Sequence, residues 1–196
     1  MKRRAIFIER LGAFLIDIII ISLIANIIAT VFVNQDNINK LSEQEITLLN
    51  DYKDNKIDVN TFTEEASSIS YESSKLLIPY TIIYIFLSIG YYVIFQQKNG
   101  QTLGKKLLKI KIKSDKGKLT INQMVIRSLI INAIFFNIID LAAILFLSKG
   151  MYMNAYSSIK IVEYILFIVI AFMVMFRKDK CGLHDIVCHT KVVSVK

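Results

Sequence analysis

The sequence is poor in proline, cysteine and histidine, with one, two and two copies in 196 residues. A single proline beside a hydrophobic fraction of 54% and a mean hydropathy of +0.50 argues against an ordinary soluble domain and for a small multi-span membrane protein. Both cysteines, Cys181 and Cys188, fall in a C-terminal tail assigned below to the cytosol, so no disulfide is expected. That tail also holds His184, Asp185 and His189, but the spacing matches no usual zinc pattern, and neither a metal nor another cofactor is expected. Also missing are a glycine-rich phosphate loop, a G-x-S-x-G elbow and an H-E-x-x-H helix, so an enzyme is not expected. Lys2-Arg3-Arg4 resembles the start of a signal peptide, yet the apolar run behind it is too long and lacks an A-x-A-like cleavage site. The first span is therefore expected to be retained.

Long apolar runs dominate what is present, at 11–33, 76–95, 124–147 and 159–176. The first is long enough, at ~1.5 Å per residue, to cross a ~30 Å hydrocarbon core with some tilt. Charge orients the runs. Residues 34–74 carry nine acidic side chains against Lys40, Lys53 and Lys56, which marks an exterior acidic loop, whereas 96–120 carries eight lysines, Lys98 and Lys105 among them, against Asp115 alone. Basic residues on the assigned inner side outnumber those outside by about three to one, so both termini are expected in the cytoplasm. The net charge of +8 follows from this asymmetry, and nucleic acid is not an expected partner because no basic surface interleaved with aromatics occurs. The bilayer itself is, with anionic lipid at the cytosolic face, as is a second copy or another membrane protein.

The predicted fold is an all-α membrane protein, a four-transmembrane-helix bundle with a small cytosolic β element, forming one domain over 1–196. The basic leader 1–10 is expected to lay Ile6, Phe7 and Ile8 along the inner membrane surface. In the acidic loop, 41–49 and 63–76 read as short polar helices, with Thr61 or Thr63 as N-cap, unless the loop is simply a solvated linker. Pro79 suits the first turn of the second span, and Tyr80, Tyr91 and Tyr92 suit its interfaces. Residues 108–113 alternate strictly between apolar and Lys, as a half-buried strand does, and 190–195 is the expected partner strand. Thr120 is placed to cap the third helix, and a short exterior loop is expected near 149–158.

Polar residues inside the spans are the candidates for function. Asp17, ~9 Å along the helix from Leu11, would cost roughly 2.5–3.5 kcal/mol to insert and needs a partner. Arg10 shares its helical stripe but stands ~10 Å away along the axis, so each is expected to use groups from other helices as well. Arg127 opens the third span and lies near the same depth. Asn132 and Ser88 join Asp17 at ~9–12 Å from the inner boundary, while Asn26, Asn137, Asp140 and Glu163 form a second, outer group at ~20–24 Å, with Lys160 one turn from Glu163. Carboxylates at two depths are what an ion or proton path requires. The alternative is that the same residues only glue helices together.

With these residues the chain resembles the RDD family of bacterial membrane proteins, named for one arginine and two aspartates. Arg10, Ala13 and Asp17 match its R-x-x-A-x-x-x-D helix. Gly100, Thr102, Gly104 and Lys105 match its G-x-T-x-G-K stretch, Arg127 matches an arginine opening the third helix, and Leu183-His184-Asp185 with Thr190 matches its terminal L-H-D and T-x-V-V. Cys188 and His189 stand where small residues are usual, and the acidic loop lies outside the family pattern. The resemblance implies a bacterial inner membrane, a four-helix core and Arg10, Asp17 and Asp185 as namesake positions; sodium–proton antiport is proposed for some members. Asp185 is the expected partner of one arginine, Arg10 or Arg127, and Asp17 of the other. Two functions compete, a small ion exchanger and a membrane scaffold that docks partners or anionic lipid.

Overall fold

The computed structural model describes residues 3–195, except for the side chain of Lys98; Lys2 and that side chain, counted above among the basic residues, lie outside it. The first helix, α1, is Phe7–Ala29. Its buried positions, Ala13, Asp17, Ile21, Ala25 and Ala29, recur every four residues, so α1 turns one narrow stripe of mostly small side chains to the bundle. Leu15, Ile19, Leu23 and Ile27 face outward and stay exposed, as a lipid-facing surface requires.

Helices α2, Gln35–Lys53, and α3, Val59–Leu76, follow as a hairpin capped by Asn34 and Asp58, whose side chains accept from the N–H groups of Asn37 and Thr61. Here the structure corrects the expectation. The acidic segment is neither a linker nor a pair of short helices capped at Thr61 or Thr63, but two helices of 19 and 18 residues. Asx capping at both starts and a stacked Tyr52–Phe62 pair across the turn hold it together.

Helix α4, Ile78–Asn99, has Pro79 in its first turn and ends at Gly100, whose φ of +68° suits a residue without Cβ. A Cβ there would stand 2.3 Å from the Ile112 carbonyl oxygen. Short α5, Leu103–Leu107, leads into β1, Ile110–Ser114. Thr120 and Gln123 then form a capping box at the start of α6, Ile121–Ile131.

The third span is not continuous. It breaks at Asn132 and Ala133 and resumes as α7, Ile134–Phe146, at 67° to α6. Ala133 takes φ +53°, and the Asn132 amide donates back to the Ser128 carbonyl, the local competition that makes asparagine a helix breaker. Helix α8 runs from Lys149 to Phe176, so the loop expected near 149–158 is helical instead. Its buried Tyr152 packs on Ala143 and Ile144 of α7 and against the Tyr71 ring of α3, which gives those first turns a surface to lie on. Among the described residues three helices, α1, α4 and α8, are long and apolar enough to cross a membrane, and the bent α6–α7 pair makes four if counted as one span.

Short α9, Leu183–Val187, precedes β2, Thr190–Ser194. The two strands pair antiparallel, Ile110 opposite Ser194 and Ile112 opposite Val192, with Ile110 and Ile112 turned inward and Lys113 outward. The free edge of β2 is taken by the leader: Ala5 N–H donates to Val192 O, and Ser194 N–H to Arg3 O. Residues 3–5 are thus sheet partners, and α1 begins at Phe7 rather than at 11. An uncovered edge would leave backbone groups unsatisfied, which the short N-terminal segment prevents.

Candidate functional site

Four elements converge at the end of the bundle that carries the sheet. Asp185, in the first turn of α9, is fully buried and accepts from Arg10 Nη1 at 2.7 Å through one oxygen and from Arg127 Nη1 through the other. The Gly182 N–H adds a third bond at 3.1 Å. Arg127 also donates to Thr190 Oγ1 at 2.8 Å, tying α6 to the start of β2, and Arg10 Nε donates to the Ala5 carbonyl. Burial alone would push the Asp185 carboxyl up, but Arg127 and Arg10 together hold it well below the usual carboxylate range. His184 beside it is held neutral: burial, reinforced by Arg127, pushes its imidazole down to about 3. Breaking a buried pair of this kind typically costs ~3–5 kcal/mol, because the survivor is left charged and dry.

Asp17 is held differently. Neither arginine reaches it. Its oxygens accept from the Tyr91 hydroxyl at 2.6 Å, the Thr102 hydroxyl at 2.5 Å and the Gly104 N–H at 2.8 Å, with the Lys105 ammonium further off at 3.7 Å. The G-x-T-x-G-K stretch therefore supplies the partners that an arginine was expected to supply. Gly104 makes the approach feasible, since a Cβ there would lie 2.3 Å from the Ala13 carbonyl oxygen. Asp17 stands two turns deeper than Arg10, and Asp185 lies at the shallow level, which is why both arginines converge on the latter.

A cavity of about 340 Å³ lies against Asp17 and against Arg10, Arg127 and His184 of the Asp185 cluster. Phe14, Phe167, Ile170 and Val174 line its apolar side; Arg10, Asp17, Gln96, Lys105, Asn132 and His184 line its polar side. Several of these polar atoms meet no protein partner: Arg10 Nη2, Gln96 Oε1, Asn132 Oδ1 and the His184 ring nitrogens, of which Nε2 stands 3.5 Å from Asp185. Lys105 sits over the Tyr92 ring, 5.5 Å from its centroid. Burial lowers its ammonium to about 8 against the opposing pull of Asp17.

The outer group is only partly assembled. Lys160 and Glu163 pair at 2.9 Å on α8, with Asp140 of α7 in their field. Asn26 is exposed on α1, and no hydrogen bond from its side chain occurs among the described residues; Asn137 is half-buried on α7. The tail cysteines are buried free thiols, each pushed up by burial, and among the described residues no three His, Cys, Asp or Glu side chains gather as a metal site.

Tyr91, Tyr92 and Gln96 went unrecognised as interior residues, the tyrosines being assigned to the membrane interface. A usable signal was present: Tyr84, Ser88, Tyr92 and Gln96 recur at four-residue spacing and therefore share one face of α4.

A family model, that of the RDD family, matches residues 4–189. The chain is 30% identical over 195 residues to the uncharacterized protein YxaI of Bacillus subtilis (strain 168), covering 98% of this chain and 99% of that one. No solved structure matches it significantly.

Proposed function

The chain belongs to the RDD family, and on that footing we propose that it exchanges small cations for protons across a membrane, cation and proton alternating on the Asp17–Lys105 pair. The observation that carries this is the loose fit of that pair: Asp17 is the acidic side chain in the cavity wall, and its cationic neighbour stands at 3.7 Å rather than in a tight bond. Lys105, lowered to about 8, can release its proton near neutral pH, leaving the Asp17 carboxylate to a cation. Reprotonation of Lys105 expels the cation, so one proton is returned for each cation released. The amide oxygens of Gln96 and Asn132, both without protein partners, are the right ligands for a hard cation, and a broken span beside the site is a recurrent feature of transporters. By the positive-inside rule we place the sheet end in the cytoplasm of a bacterial inner membrane.

Flux in proteoliposomes, followed with a pH dye under gradients of Na⁺, K⁺ and Li⁺, tests the proposal. Cation-driven proton movement in wild type, lost in folded Asp17→Asn, is the expected result. No cation-driven movement in wild type, or undiminished movement in Asp17→Asn, would overturn it.

A scaffold role has one specific observation in its favour, the exposed lysines Lys106, Lys109, Lys113, Lys116 and Lys118 around the sheet. Such a face suits anionic lipid. Binding to vesicles with and without phosphatidylglycerol, unaffected by Asp17→Asn, separates that role from exchange.

A further inference from the structure

The cavity at the sheet end does not by itself reach the outer group of charges, yet the interior between them is not apolar. On the inward face of α4, Gln96, Tyr92, Ser88 and Tyr84 follow one another at single-turn intervals, spanning ~18 Å along the helix. The first three are at least nine-tenths buried; among the described residues Gln96 Oε1 and Tyr92 Oη meet no partner, and Ser88 Oγ has only the Tyr84 hydroxyl of the same helix within interaction range, short of good hydrogen-bond geometry. At one end Gln96 and Tyr92 line the same cavity as Asp17 and Lys105, with Tyr92 within electrostatic reach of Asp17. At the other, Tyr84 lies beside Ser88 and within the field of Glu163, which pairs with Lys160 next to Asp140.

We propose that this stripe conducts protons, through interposed water molecules, between the Asp17–Lys105 pair and the Lys160–Glu163–Asp140 group. Successive residues stand one turn, ~6 Å, apart along the helix, so that Tyr84 and Ser88 can hand a proton on directly, while the steps from Ser88 to Tyr92 and from Tyr92 to Gln96, across which no hydrogen bond occurs among the described residues, call for an interposed water. Each hydroxyl accepts a proton from the water on one side as it gives its own to the water on the other, so the side chains end unchanged. Buried polar atoms that the fold leaves unanswered are the expected partners of such waters, whereas hydroxyls serving as helix glue would already be bonded across the interface. This inference rests on the exchange reading and adds the route by which its protons cross the bundle.

Tyr92→Phe and Ser88→Ala remove one oxygen each and leave the packing in place. In proteoliposomes, cation-driven proton flux should fall at least tenfold in either variant, while the midpoint of thermal unfolding in detergent stays level or rises. Ser88→Thr, which keeps the hydroxyl, should restore flux to within about twofold. If wild type carries flux and both deletions carry it undiminished, the stripe is idle and the inference falls while the exchange reading stands. If wild type shows no cation-driven proton movement, both fall together.

Discussion

The buried carboxylates at the sheet end and the polar side chains along α4 behind it are provided for in opposite ways. At the sheet end, Asp185 and Asp17 each have both oxygens occupied by donors from separate elements: α1, α6 and the α9 turn on one, α4 and the α5 turn on the other. Along α4, three buried polar atoms in succession have no such donor or acceptor. Both regions are closed off from bulk solvent by burial, so the difference is one of provision. Where each carboxylate oxygen has a donor fixed by another element, the cluster determines how those elements sit, with only Lys105 loosely held beside Asp17; along α4 the fold supplies no such donor.

The comparison is broken most directly at Asp185. Asp185→Asn removes the charge that Arg10 and Arg127 share, and should cost about 3–5 kcal/mol, read as a large fall in unfolding midpoint and in membrane abundance. Gly104→Ala should follow, at up to about 3 kcal/mol, because the new methyl meets the Ala13 carbonyl and must push α5 away from α1. Thermal unfolding followed by circular dichroism measures both.

Acid sharpens the contrast. His184 is held at about 3 against an ordinary value of 6.5, so below pH 6.5 the unfolded chain takes up a proton that the folded one refuses. Stability is complete above pH 6.5 and should fall by roughly 2 kcal/mol by pH 5. Arg127, Arg10 and Lys105 face the imidazole and oppose its charge, with Asp185 acting the other way. Asp185, whose own carboxyl is depressed, adds its loss only at lower pH, so His184→Asn should flatten the slope between pH 6.5 and 5. The smallest expected effect has the opposite sign. Tyr92→Phe should stabilise by about 0.5–1 kcal/mol in detergent if its hydroxyl is dry, and by less if a water serves it.

Features with a local cause were legible before any coordinates. The apolar runs of α1, α4 and α8, the alternation of β1, the Thr120 cap and the place of Pro79 all follow from nearest-neighbour chemistry, and the pairing of β1 with β2 from the need of two short strands for partners. What escaped needed distant partners. Thr102 and Gly104 reach Asp17 across 85 and 87 residues, and no spacing within α1 reveals that a loop rather than an arginine will take the carboxylate. The break at Ala133 was hidden because alanine carries no breaking signal of its own and the asparagine before it looked like interior glue. The α2–α3 hairpin was hidden because its helices are polar on most faces and gain their order largely from each other.

The bond between Arg10 and Asp185 joins residues 175 positions apart. At a ribosomal pace of roughly 5–20 residues per second, the first helix must wait about 10–35 seconds after its own synthesis before its arginine meets the aspartate. Arg127 waits as well, for a shorter time, and the leader strand cannot pair until β2 emerges. The sheet end therefore closes last, as a seal on a bundle already inserted. A chain stalled or cut before Asp185 would keep two arginines without the carboxylate they share.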